Sequence, residues 1–241
     1  ALAKLSCRNA TFRAEIVKAG AITPLVGLLG TGQRADLKTP PERAAAVLAD
    51  LSRIAESKTE ISRAGGIMPL VNMLASRCEE AQTNATVAVY HLSTVADNKV
   101  HITSMKGIQL LARILSDGSA KAQHHAAGAV WQLANSADNR AAIVEAGGIP
   151  KLITLVSFKD PEVGEQTVPT PRRRTFEEKV ESEQMLAKES AAAVLAELAR
   201  SQSSFRSAIV KNGGIAPLTE CINSTSVGAQ KWATAAIWGL S

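Results

Sequence analysis

Aromatic residues are scarce in this chain: Phe, Trp and Tyr together make up 3% of its 241 residues. Binding single-stranded nucleic acid takes stacking aromatics interleaved with clustered basic residues. The 27 Lys and Arg stand against 22 Asp and Glu, a net charge of +5, and they are scattered apart from the run Arg172, Arg173, Arg174. Nucleic acid is therefore not an expected partner. Cysteine is equally sparse. Cys7, Cys78 and Cys221 are odd in number and far apart, which leaves no disulfide framework and no CxxC metal knuckle, and fits a reducing compartment. A cytoplasmic or nuclear location is expected. No apolar run approaches the ~18–20 residues that span a bilayer, so no membrane span is expected. The first residues, ALAKLSCRNATFR, include neither Met nor the apolar stretch of a signal peptide, and we expect a piece of a longer protein. What the chain does have is 46% hydrophobic residues, enough for a packed core.

Those residues recur. AGAITPLVGLL, AGGIMPLVNML, MKGIQLLARIL, AGGIPKLITLV and NGGIAPLTECI are one motif in five copies, with isoleucines at Ile22, Ile67, Ile108, Ile149 and Ile215. The spacings are 45, 41, 41 and 66 residues, a period of about 41 with two insertions. A second motif keeps phase with it: ALAKLS, AAAVLADLS, ATVAVYHLS, AAGAVWQLA, AAAVLAELA and ATAAIWGLS. Both insertions fall in the same inter-motif segment. Each unit reads as three helices. The first ends at glycine. The second carries Pro24, Pro69, Pro150 or Pro217 in its first turn, where a missing N–H does no harm. The third is Ala-rich, and no strand-like alternation of useful length appears.

The period, the G-G-I-x-x-L-V-x-L-L core and the A-A-x-A-L-x-x-L-(A/S) helix resemble armadillo repeats across essentially the whole chain. The resemblance implies an all-α, right-handed α-solenoid with three helices per repeat. We expect a single domain over 1–241, with a leftover third helix at 1–7 and repeats at 8–56, 57–97, 98–138, 139–201 (with an insertion at 157–184) and 202–241. Cofactors and catalysis are not expected.

In armadillo proteins the third helices line a concave groove that takes extended peptides. The resemblance implies that one ladder position, usually Asn, holds the peptide backbone. A side-chain amide both donates and accepts there, for about 1 kcal/mol net per bond. Here the ladder reads Lys4, Asp50, His91, Gln132, Glu197 and Gly239, so only Gln132 keeps an amide. Helical spacing sets Arg43, Asn84, His125, Ser190 and Trp232 seven residues before on the same face, and Arg53, Thr94, Asn135 and Arg200 three after. The tryptophan array of importin-α-like proteins, four before the ladder, is absent, as is the uniformly basic groove of the β-catenin type. What remains is a polar, near-neutral centre of Asn84, His91, Thr94, His125, Gln132 and Asn135. Tyr90, Trp131 and Trp238 lie at its edge, where they either pack between neighbouring third helices or anchor a ligand. If His91 and His125 touch that ligand, affinity should change between about pH 5.5 and 7.5. With third helices ~8–10 Å apart and ~3.3 Å per extended residue, five repeats hold a segment of roughly ten residues.

The insertion at 157–184, SFKDPEVGEQTVPTPRRRTFEEKVESEQ, has prolines against helix in its first half, while FEEKVESEQMLAKES could extend the next helix backwards. It reads either as a tolerated surface loop or as a regulatory one. Arg172, Arg173 and Arg174 before Thr175 resemble a basophilic kinase site, and Thr170 before Pro171 a proline-directed one. Other signals are weak. The run Gly27 to Gln33 has Gln where a phosphate-binding loop needs Lys. His91, His101, His124 and His125 include no HxxxH pair, and neighbours on a helix point about 100° apart, so no metal is expected. The expected partner is a protein, bound by a non-enzymatic adaptor through its groove. Two alternatives stay open: a structural segment of a larger scaffold, or the substrate-recognition region of a ubiquitin ligase whose catalytic domain lies elsewhere.

Overall fold

In the computed structural model, residues 10–30, 40–160 and 175–241 are described, and the repeat resolves into fifteen helices, with no strand among the described residues. The first repeat holds α1 (Ala10–Lys18), α2 (Ile22–Leu29) and α3 (Pro40–Leu51); the second holds α4 (Ala55–Arg63), α5 (Ile67–Met73) and α6 (Glu79–Leu92). The third holds α7 (Ala96–Ser104), α8 (Gly107–Asp117) and α9 (Ala120–Leu133). The fourth holds α10 (Ala137–Glu145), α11 (Gly148–Val156) and α12 (Phe176–Ser201), and the fifth α13 (Ser203–Lys211), α14 (Ile215–Cys221) and α15 (Val227–Leu240). The expected third helix at 1–7 lies outside the described residues.

The two glycines of the A-G-G-I motif do different work. Gly147 takes φ 68°, the left-handed turn that ends α10. Gly148 is needed for space, because a Cβ there would come within 2.7 Å of the Ile143 carbonyl oxygen. In the third repeat the turn position is Lys106, held at φ 59°, a conformation that costs a non-glycine residue about 1–2 kcal/mol.

The helices gather into two compact units, Ala1–Ile114 and Leu115–Ser241. In the first, α3 and α6 lie side by side, with α2 and α5 packed against them. Its core is aliphatic, with Ile22, Leu48, Leu51, Ile61, Leu70 and Leu92 fully buried. In the second, α9, α12 and α15 form the row of third helices, while α11 packs on α12 and α14 on α15. The alanines on these helices, among them Ala126, Ala129, Ala192 and Ala233, are fully buried, which lets the helices approach closely.

A buried amide ties one repeat to the next. Asn98 of α7 donates from Nδ2 to the carbonyl of Leu92 at 3.2 Å, and Asn139 of α10 does the same to Leu133 at 2.8 Å. Both are buried, and each satisfies a C-terminal carbonyl that a third helix leaves open. One repeat earlier the position is Ser57, buried and too short to reach; in the last repeat it is Phe205, a buried ring.

The helix after the insertion does extend backwards, from Phe176 to Ser201 over 26 residues. Thr175 is its N-cap and closes a capping box: its hydroxyl accepts from the Glu178 N–H, and the Glu178 carboxylate accepts from its own. The start of the insertion is tied to the same helix: Lys188 of α12 is buried and donates from Nζ to Asp160 Oδ1 at 2.7 Å and to the Phe158 carbonyl at 3.0 Å. Asp160 also accepts from the backbone N–H and hydroxyl of Thr225. Burial alone would raise the Asp160 carboxyl. The hydrogen bonds from Lys188, Thr225 and Ser224 outweigh it and hold the group down at about 2.

Candidate functional site

The ladder positions come out on the accessible side of their helices. Asp50 and His91 are half-buried on α3 and α6 of the first unit, and Gln132 and Glu197 are half-buried on α9 and α12 of the second. The residues four before them that face inward, Val87, Gly128 and Ala193, are buried and make a small-residue floor. Those three after them, Arg53, Thr94, Asn135 and Arg200, are exposed.

On α6, Asn84 is half-buried and Tyr90 lies beside His91, their ring centroids 4.9 Å apart. Thr94 is already engaged. Its hydroxyl donates to the His91 carbonyl at 2.8 Å and accepts from Lys58 Nζ at 2.9 Å, so α4 supplies a cation beside the ladder. In the second unit Trp131 of α9 meets Trp232 of α15 edge-on, with centroids 5.5 Å apart and planes at 68°. The pair reaches across the face that α12 contributes between them. Lys231 Nζ sits 5.0 Å from the centre of the Trp232 ring, within the range of a cation–π contact. Trp238, by contrast, is 73% exposed. The tryptophans thus divide between both sequence readings: Trp131 and Trp232 pack on each other, and Trp238 presents its ring to solvent. Glu197 is paired with Arg200 one turn on.

His125 departs from the expectation. It is buried, and its Nδ1–H donates to the Lys121 carbonyl at 2.8 Å. Desolvation, helped by the neighbouring His124, lowers its pKa from 6.5 to about 4, against the opposing pull of the Lys121 carbonyl and Glu183. It is therefore neutral between pH 5.5 and 7.5, and a pH response of binding in that window cannot come from His125.

Spacing along the sequence also missed a contact at His124. Its ring lies 4.4 Å from that of His125, and its Nδ1 is 2.5 Å from Oε2 of Glu183, a residue 59 positions away on α12. Only the backward extension of α12 brings Glu183 there, and the length of that extension is what the sequence left open. Of the regulatory candidates, Thr170, Arg172, Arg173 and Arg174 lie outside the described residues. Thr175 is exposed, its hydroxyl committed to the α12 cap.

Comparison with known proteins agrees with this architecture. Residues 136–168 match the family model described as Armadillo/beta-catenin-like repeat. An engineered protein of known structure is 26% identical, with a TM-score of 0.76 over 99% of this chain and 87% of its own. A designed armadillo repeat protein is 20% identical, with a TM-score of 0.76 over 100% of this chain and 90% of that one. Another, solved in complex with the peptide (KR)4, is 18% identical and gives 0.72 over the same shares. A search of curated proteins gives no match at the significance required. With five three-helix units in phase, the family model falling on α10 and α11, and fold likeness over the full length, residues 136–168 carry an armadillo-type repeat and the chain has the fold of armadillo-repeat proteins.

Proposed function

We propose that the chain is a protein-binding module that takes an extended segment of another protein along its third-helix faces, and that it acts as an adaptor. The observation that carries this reading is the face of α9, α12 and α15. It combines a half-buried amide at Gln132, an acidic group at Glu197, a floor of small residues and the open ring of Trp238. Gln132 would pair with a peptide unit of the ligand, and Trp238 would cover an apolar side chain. Asn135, exposed at the end of α9, would add a second amide. On the first unit, Asn84, His91 and Thr94 of α6 offer a similar polar row, with Tyr90 at its edge. Three third helices at ~8–10 Å spacing suit about five or six extended residues at ~3.3 Å each. The designed relative of the same fold that was solved with (KR)4 supports the class of ligand, an extended peptide.

The test is selection from a displayed library of unstructured peptides against the wild type and a Gln132→Ala/Trp238→Ala variant of equal helicity and melting temperature. A sequence consensus enriched on the wild type and lost on the variant is the expected result. No enrichment, or equal enrichment on both, would remove the groove reading and move binding to another surface.

A further inference from the structure

The cluster at the α9–α12 contact is chemically distinct from the ladder. His124, His125 and Glu183 each offer one ligand atom, and these atoms lie within 4.8 Å of one another. Two imidazole nitrogens and one carboxylate oxygen are a donor set suited to zinc-class ions, whereas magnesium and calcium favour oxygen alone. His125 is 6% exposed, and the side chains of His124 and Glu183 are 19% and 28% exposed, so the set is largely enclosed yet reachable from solvent.

A further feature suits coordination. The Nδ1–H of His125 is fixed on the Lys121 carbonyl, which leaves the lone pair on Nε2. A backbone carbonyl in that role is the usual outer-shell partner of a metal-bound histidine. Ligand atoms around a tetrahedral ion with bonds of ~2.0–2.2 Å sit about 3.4 Å apart. Reaching that spacing from the present one takes rotation of the partly exposed Glu183 and His124 side chains. The Lys121 ammonium, one turn before His125, opposes the ion, and the Glu183 carboxylate offsets it.

We propose that His124, His125 and Glu183 bind one divalent transition-metal ion of the zinc class, cross-linking α9 to the N-terminal half of α12. Three protein ligands leave a fourth position for water or for a group from a partner.

The experiment is a titration of the chelator-stripped 241-residue chain with zinc sulfate against a chromophoric competitor, read alongside thermal melting. One equivalent of zinc should bind, and the melting temperature should rise with zinc concentration by mass action. His124→Ala and Glu183→Gln, both at partly exposed positions and tolerable to the fold, should each weaken binding at least tenfold and abolish the melting shift. His101→Ala, on α7, should change neither. Failure to bind an equivalent at 100-fold excess over protein would overturn the proposal. So would binding that both variants leave intact, which would assign the ion to other side chains such as the thiols.

Discussion

The third helices α6 and α9 run 14 residues each, whereas α12 runs 26. The two kinds are held by different forces. Along α6 and α9 the inward side is aliphatic and alanine-rich, with Leu92, Leu133 and Val130 essentially removed from water. At ~25 cal/mol per Å² this burial stabilises each helix without reference to pH or ions. The additional part of α12 has no buried residue from Phe176 to Leu186. It is fixed by a capping box, by His124 against Glu183 and, where it joins the repeat, by Lys188 with Asp160. Charge and hydrogen bonding place the extension, and apolar area places the repeat.

The sharpest way to break this comparison is Asp160→Asn. It leaves the buried Lys188 ammonium without its counter-charge, at a cost of about 3 kcal/mol in urea unfolding of the chain. Adding Lys188→Met should recover most of that loss. The same pair gives an acid limb. The folded-state pKa of Asp160 is depressed to about 2, so its contribution is complete above the ordinary carboxylate range and is lost as pH falls from about 4 to about 2, by about 2 kcal/mol. The wild-type stability profile should steepen there, and the profile of Asp160→Asn should be flatter.

A smaller effect tests the apolar side. Asn139→Ala leaves the Leu133 carbonyl buried and unmet, for about 2 kcal/mol, and Asn98→Ala should cost a similar amount at Leu92. Equal losses would mark the amide as a repeat-to-repeat fastener. A loss at only one would tie it to local packing. Thr175→Ala removes a cap, about 1 kcal/mol. Its effect should appear as faster amide exchange over 176–186, with little change in global melting, if the extension frays by itself. Smallest of all, Lys106→Gly should stabilise by under about 1 kcal/mol, since only the turn strain is relieved and the unfolded chain gains freedom in return.

Much of this fold could be read from the sequence because its rules are local. The phase of Ile67, Ile108 and Ile149 fixes which side of each second helix is buried, and the helix-stopping glycines mark where the first helices end. The ladder face was read from helical spacing, and on it Gln132 and Glu197 are half-buried and Asn135 is exposed. The misses around α12 share one cause. His125 sits on the ladder face by spacing, yet α12 comes close enough to cover it. Glu183 meets His124 only because α12 continues back through the insertion, and Lys188 meets Asp160 across 28 residues because the chain before the insertion returns to the start of the regular part of α12. The distances between such partners depend on helix length and on how neighbouring helices pack, and a residue pattern repeating every 3.6 positions records neither. The Asn98 and Asn139 fasteners were missed for a simpler reason: an isolated Asn near a helix start looks like a cap in any sequence.

All three tryptophans of the chain, Trp131, Trp232 and Trp238, fall in the Leu115–Ser241 unit, and the other unit has only the phenol of Tyr90 among its fluorophores of comparable use. The molecule therefore carries its own optical label on one half. Indole emission follows the second unit alone, while far-ultraviolet ellipticity follows helices throughout. If the two signals move together through a denaturant series, the chain melts as one cooperative body. If emission leads or lags, its halves have separate stabilities, and each can be weighed without cutting the chain.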